Sequence, residues 1–538
     1  MAVPVELVRS VDEALRAGQI RGKADLNRLK AAYCRTHGTD GVPSDADLLA
    51  AAEREDPALA ARLRPVLRTK SMRTLSGVAV VAVMTSPAHC PHGRCSFCPG
   101  GVESGSPQAY TGFEPAAQRG ARAGFDARRQ VEGRLAQFAA TGHRTDKVDL
   151  IVMGGTFTAR EVSYQRDFVK GALDAMNGAA SADLETAKRL NETAASRCIG
   201  LTVETKPDWC RDEHVRLMLD YGTTRVEIGA QAFDDEVLAA VNRGHTVKDT
   251  RRATHAAKDA GLKVCYHLMP GLPGMTPEKD AAEFRGLFDD PAFAPDQLKV
   301  YPTLVMPGTA LYGEWKRGAF EPYDDERAAS VVATLKEIVP PYVRIQRVDR
   351  DIPSPMIAAG VKSSNLRQLA LAKLKARGLS CRCIRCREAG HRANKGEAVD
   401  LEGEVELKRH DYEASGGREA FLELVDREGA LHAFARARLA GADGAAGSKA
   451  GDAFLRELRV VGRVAELAGP DAPEDAARFQ HRGLGAALMD EVERLAFDEW
   501  GAPVLRVTAG VGVRGYYKAL GYRLEGPYMV RRAGETAE

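Results

Sequence analysis

The chain lacks any long apolar run. Hydrophobic residues are 44% of its 538 positions, yet no window nears the ~18 consecutive apolar residues of a membrane-spanning helix. It also lacks a basic start followed by an apolar stretch, so no secretory leader is expected. Charge of one sign is missing overall: 76 Lys and Arg against 74 Asp and Glu leave +2. Any electropositive surface must therefore come from local clustering. A disulfide framework is missing too, because six of the ten cysteines fall into two tight groups, Cys90/Cys95/Cys98 and Cys381/Cys383/Cys386. Cys34, Cys198, Cys210 and Cys265 are scattered. Clustered thiols without a leader point to metal chemistry in a reducing, cytoplasmic setting. A chain of this length is expected to hold more than one domain.

The first thiol group lies in Cys90-Pro-His-Gly-Arg-Cys95-Ser-Phe-Cys98-Pro-Gly-Gly101, directly after the apolar run 78–84. Three thiolates this close can hold three corners of a cuboidal 4Fe–4S cluster, leaving one iron free. A free iron can chelate S-adenosylmethionine through its amino and carboxylate groups and reduce it to a 5′-deoxyadenosyl radical. A zinc knuckle with a distant fourth ligand is the alternative. Further along, 78–84, 148–153, 199–203, 225–229, 263–269 and 297–303 read as strands, with amphipathic segments such as 249–260 and 278–288 between them. Six such units predict an α/β fold, a partial TIM-like (βα)6 barrel with its active face at the C-terminal ends of the strands. Cys90, Gly154-Gly155, Glu204, Gln231, Pro270-Gly-Leu-Pro-Gly274 and Lys299 all fall at or near those ends.

Four segments follow from these patterns. Residues 1–70 predict a helical extension ending in Arg62, Arg64, Arg68 and Lys70, either a solvated face or a guide for a polyanion. Residues 71–340 hold the barrel. Residues 341–400 are basic, and Cys381-Arg-Cys383-Ile-Arg-Cys386 has zinc-ligand chemistry, with His391 or an apposed residue elsewhere in the chain as candidate fourth ligand. Arg377, Arg382 and Arg385 beside it are candidate phosphate contacts. In 401–538, a hairpin about Asp426–Gly429 and a strand at 455–461 precede the turn Gln480-His-Arg482-Gly483-Leu-Gly485, which opens a helix from Leu484. Glycines there let backbone N–H groups approach a pyrophosphate. With Arg514-Gly-Tyr-Tyr517 following, this order resembles the GNAT acyltransferase fold, which binds acetyl-CoA. Tyr517 and the barrel residue Lys299 are the candidate catalytic side chains.

The cluster loop resembles that of the radical-SAM superfamily, with C-x4-C in place of the more common C-x3-C. The whole combination resembles the family of the catalytic subunit of the Elongator complex and its free-standing archaeal and bacterial relatives. The resemblance rests on the cluster loop, Gln108-Ala-Tyr-Thr-Gly-Phe-Glu-Pro115, Met153-Gly-Gly-Thr-Phe157, Asn365-Leu-Arg-Gln368 and Gln480–Gly485. It implies that Gly154 and Gly155 meet the methionine end of S-adenosylmethionine, with Thr156 where a Glu is usual, and that Glu204 and Gln231 meet its ribose or carboxylate. It implies acetyl-CoA contacts at Lys147, Glu457, Leu458, Arg459, Val460, Gln480, Arg482, Gly483, Leu484, Gly485, Ala486 and Tyr517. The implied activity installs a 5-carboxymethyl group on the wobble uridine of tRNA, held by its anticodon stem-loop. The alternatives are a protein lysine acetyltransferase whose barrel is a scaffold or redox sensor, and a non-catalytic tRNA-binding module. A homodimer or accessory subunits are both compatible with the sequence.

Overall fold

A computed structural model describes residues 3–38, 41–67, 77–400, 403–444, 446–461 and 483–535. The chain opens with α1 (Val5–Arg16), α2 (Lys23–His37), α3 (Asp45–Glu55) and α4 (Pro57–Leu67). Leu7, Val8, Val11 and Ala14 recur at helical spacing and bury one face of α1 against Leu48, Leu49, Leu59 and Leu63, a small core of its own. Ser44 caps α3 by accepting the Asp47 N–H. Periodicity separates the first three helices but not the fourth, since only Asp56 divides α3 from α4.

The barrel is one parallel sheet in sequential order: β1 (Ala79–Met84), β2 (Lys147–Met153), β3 (Arg197–Thr205), β4 (Arg225–Gln231), β5 (Lys263–Leu268), β6 (Gln297–Val300) and β7 (Arg344–Val348). The six expected strands are present. The seventh lies inside the stretch read as basic junction. Only Ile345 and Val348 of Arg344-Ile-Gln-Arg-Val348 are buried, so this edge strand carries a junction-like composition. No helix among the described residues is long and apolar enough to cross a membrane.

The second sheet has the order β13-β14-β12-β11-β10-β9-β8. Its strands are β8 (Glu406–Ala414), β9 (Gly417–Val425), β10 (Leu431–Leu439), β11 (Ala453–Val460), β12 (Val504–Val507), β13 (Arg523–Glu525) and β14 (Tyr528–Arg532). Asp426 holds the β9–β10 turn by accepting the N–H groups of Glu428 and Ala430. The centre of this sheet is interrupted. β11 pairs with β10 as far as Val460, but parallel to β12 only over Ala453–Leu455. Beyond Leu455 and Val507 the two strands part and leave a wedge.

A shared apolar core that includes Phe421, Phe434, Phe454 and Tyr528 of the second sheet joins it to the barrel, and a buried charge network is set into that interface. Arg456 Nη1 donates to Asp296 Oδ1 (2.9 Å) and Glu419 Oε2 (2.6 Å). Lys258 lies 3.2 Å from Glu419, and Arg438 Nε donates to Asp259 at 2.8 Å. All six side chains are fully buried. Such a network holds register across the interface only because every charge in it has an opposite neighbour.

Candidate active site: two pockets on one barrel

The upper pocket sits at the C-terminal ends of the strands. It brings together Cys90, Cys95, Cys98, Gly155, Glu204, Gln231 and Lys299, with Tyr110, Arg243, His267, Arg347 and Arg350. Gly154 is adjacent but not in the lining. Its φ of +140° and a phantom Cβ 1.9 Å from Thr85 Oγ1 explain why only glycine fits there.

Donors converge on the loop sulfurs. The Ala109 N–H donates to Cys98 Sγ at 3.2 Å, Arg243 Nη1 to Cys95 Sγ at 3.6 Å, and His92 Nε2 lies 3.2 Å from Cys95 Sγ. Burial pushes the Cys90 and Cys98 thiols up, so a metal or these donors must stabilise their thiolates. Burial, with Lys206 and Arg243 nearby, lowers His92 to about 4, so its imidazole is neutral at pH 7.

Among the described residues, sets of three ligating side chains with donor atoms all within 4.8 Å are Cys381/Cys383/Cys386 and Glu227/Cys265/His267. The loop thiols form no such set. Wider spacing fits sulfurs that each take a different iron, and it disfavours a zinc knuckle. The donors to sulfur and the open pocket fit a cluster with one free iron.

Below the sulfurs the pocket floor is charged. Tyr110 donates to Glu204 Oε2 at 2.7 Å, and Lys299 Nζ lies 4.0 Å from Glu204 Oε1. Lys299 also pairs directly with Glu227, whose Oε2 lies 2.9 Å from His267 Nε2. Burial alone would raise the Glu227 carboxyl, but Lys299 and His267 outweigh it and hold it well below the usual range. Gln231 adopts φ +73°, and its buried Oε1 has no partner, an acceptor left for a ligand.

The lower pocket fills the wedge between β11 and β12, against the N-terminal ends of the barrel strands. Glu457, Leu458 and Arg459 line it from the second sheet, Tyr517 from the short helix Arg514–Ala519, and Asp149, Arg225 and Lys263 from the barrel. Burial raises the Tyr517 hydroxyl far above its ordinary value, so it keeps its proton. Burial pushes Lys263 down to about 8, and its Nζ donates to the Arg456 carbonyl at 3.2 Å. Lys147 starts β2, two residues before Asp149, and is not in the lining. Val460 and Gly485 are neighbours beyond it, with a phantom Gly485 Cβ 3.9 Å from Val460 Cγ2. Gly483, at φ +73°, precedes the helix Leu484–Glu493, which carries Leu484, Gly485 and Ala486. Gln480 and Arg482 lie outside the described residues.

The second thiol group stands apart from both pockets. Lys336 Nζ lies 3.6 Å from Cys381 Sγ and 3.9 Å from Cys386 Sγ. The structure puts His391 elsewhere, its Nε2 3.3 Å from Glu388, so the cluster assembles without it. The candidate RNA contacts are dispersed. Arg62 pairs with Asp12, Arg64 with Glu53 and Arg377 with Glu337. Arg382 is exposed, whereas burial and the neighbouring Arg367 and Arg344 push Arg385 down to about 10. Arg68 and Lys70 lie outside the described residues.

Sequence reasoning missed Asp149, Arg225, Lys263, Glu227 and Tyr110. Their signal was present: Arg225 and Glu227 alternate within an otherwise apolar strand, and Tyr110 sits in the quoted Gln108–Pro115 motif.

Three family models match: the radical SAM superfamily over residues 85–284, the radical SAM C-terminal domain over 295–376 and the ELP3 N-terminal domain over 5–75. The tRNA uridine(34) acetyltransferase of Methanocaldococcus jannaschii is 45% identical over 529 residues, covering 97% of this chain and 96% of that one. Elongator complex protein 3 of Drosophila melanogaster is 41% identical, covering 98% and 96%. The solved Methanocaldococcus infernus Elp3 lacking residues 1–46 superposes with a TM-score of 0.74 at 43% identity, covering 85% of this chain and all of that one. With near-full-length identity of this order, and a barrel carrying an intact three-cysteine loop, the chain belongs to the Elongator complex protein 3 family of radical SAM proteins.

Proposed function

We propose that this enzyme uses acetyl-CoA and S-adenosylmethionine to install a 5-carboxymethyl group on the wobble uridine of tRNA. The observation that carries it is that one strand, β4, lines both pockets: Arg225 faces the lower one and Glu227 and Gln231 the upper. The curated prokaryotic relatives bear the name tRNA uridine(34) acetyltransferase, which supports the same substrate here.

Cys90, Cys95 and Cys98 would hold a 4Fe–4S cluster, with Arg243, His92 and the Ala109 N–H directed at the sulfurs. With S-adenosylmethionine, that cluster supplies a radical able to take hydrogen from an unactivated methyl group. Gln231 Oε1 and the Tyr110-braced Glu204 are the acceptors facing that cofactor. In the lower pocket Tyr517 is a protonated donor for the departing thiolate of acetyl-CoA. Arg347 and Arg350, brought to the upper pocket by β7, offer cations to phosphate. Cys381, Cys383 and Cys386 would hold a structural zinc, with Lys336 on the open side.

A protein lysine acetyltransferase with an inert barrel is not favoured, because it leaves the converging donors at the loop sulfurs without a role. The test supplies acetyl-CoA deuterated on its methyl group to cluster-loaded protein and tRNA. Deuterium is expected in 5′-deoxyadenosine, and carboxymethyluridine in the digested tRNA by mass spectrometry. Acetyl transfer to protein with no deuterium in 5′-deoxyadenosine would defeat the proposal.

A further inference from the structure

One charged contact runs from a lining residue of the lower pocket to a lining residue of the upper. Arg225 Nε, in the lower pocket, lies 3.6 Å from Glu227 Oε1, in the upper one. That is longer than a hydrogen bond, and neither atom has another partner although both are buried. Arg225 Nη1 lies 3.5 Å from Asp149 Oδ2 on the lower side. From Glu227 the chain of charge runs on without an apolar break through Lys299 to Glu204 and the Tyr110 hydroxyl. Barrels of this kind normally fill with branched apolar side chains, and buried charges cost free energy unless closely paired. Here the contact between the pockets leaves a buried donor and a buried acceptor facing each other, both without a hydrogen bond.

Glu227, Cys265 and His267 also lie close enough to suggest a metal site. The Lys299 ammonium already neutralises Glu227, so the group needs no ion. A facing donor and acceptor, both unsatisfied, instead describe a side chain with two available positions. Arg225 can close on Glu227, or swing toward Asp149 and any acceptor oxygen at the floor of the wedge. Each position changes the field on Glu227, Lys299 and Glu204, in surroundings where little water screens it.

We propose that Arg225 is a positioning residue shared by the two pockets, carrying the occupancy of the acyl-CoA pocket to the S-adenosylmethionine pocket through Glu227. This rests on the assignment of the wedge to an acyl-CoA. The carbonyl of a bound thioester draws Arg225 outward and leaves Glu227 wholly to Lys299 and His267. By reciprocity, S-adenosylmethionine bound above alters acyl-CoA affinity by the same factor.

The experiment is calorimetric titration of S-adenosylmethionine onto full-length, cluster-loaded protein, with and without a saturating ketone analogue of acetyl-CoA, and the reverse titration. Wild-type protein should show affinities that differ by about fivefold or more, by the same ratio in both orders. Arg225→Met and Glu227→Gln should bring that ratio to about one, and Arg225→Lys should restore part of it. A thermal melt confirms that each variant is folded. If either is not, Asp149→Asn, at the partly exposed end of the chain of charge, should shift the ratio instead. A wild-type ratio of one, or a ratio unchanged in the folded variants, overturns the proposal. Failure of the analogue to bind wild-type protein overturns the acyl-CoA assignment beneath it.

Discussion

Cys90, Cys95 and Cys98 lie on a loop at the C-terminal end of the barrel and face the upper pocket, whereas Cys381, Cys383 and Cys386 pack beside the helix Asp325–Ile338 and face one lysine. Both groups are three thiols within nine residues. In the second, the Ile384 N–H donates to the Val343 carbonyl and the Cys386 N–H to the Cys383 carbonyl, tying a tight turn to the edge of the barrel. Its sulfurs crowd within ligand distance of a single ion. Hydrogen bonds from Cys381 and Cys386 hold the Cys383 thiol below its ordinary value. In the first group the sulfurs stand apart, and their hydrogen-bond partners are a histidine, an arginine, a backbone amide and the Thr156 hydroxyl. The lesson is that two thiol groups of similar spacing in sequence differ in their spread in space, and it is the spread that fits one to several irons and the other to a single ion.

The comparison can be broken most severely at the loop. Alanine at Cys90, Cys95 or Cys98 should abolish bound iron and S-adenosylmethionine cleavage while the second metal stays at about one per chain. Loss of both metals together would show that the two groups are not independent.

A smaller but global effect is expected from Cys383→Ala. Removing a ligand of a structural metal should cost a few kcal/mol and lower Tm by about 5 °C or more, with iron loading retained in what remains folded. An unchanged melting curve would mean that the second group does not brace the fold.

The finest test replaces the cation beside each group. Arg243→Met should weaken iron retention and Lys336→Met retention of the second metal, each about 10–100-fold in competition with a chelator, since outer groups of a metal site contribute on that scale. The effects should not cross over: Arg243→Met leaves the second metal alone, and Lys336→Met leaves the iron alone.

Much of this was legible in the chain itself. The cysteine loop, the six strands and the hairpin about Asp426 each arise from local pattern, because thiol spacing, apolar alternation and turn residues act over a few positions. The seventh strand was hidden, since an edge strand with only Ile345 and Val348 buried carries too little apolar pattern to be seen. His391 looked like a zinc ligand by proximity in sequence, but its ring turns to Glu388, which Arg344 holds in a two-pronged ion pair.

What the sequence determined alone was which chemistry is available: three thiols on a loop after a strand, a parallel barrel whose strand ends carry polar groups, and a second domain carrying Tyr517 after a glycine-rich turn. Only the tertiary structure decided which residues face each other. Asp149, Arg225 and Glu457 are hundreds of residues apart at the extremes, yet they meet because β11 and β12 part against the N-terminal ends of β2 and β4. Burial there removes water from groups that sequence shows only as scattered charge, and that loss of screening strengthens the contact that runs from Arg225 to Glu227 between the two pockets.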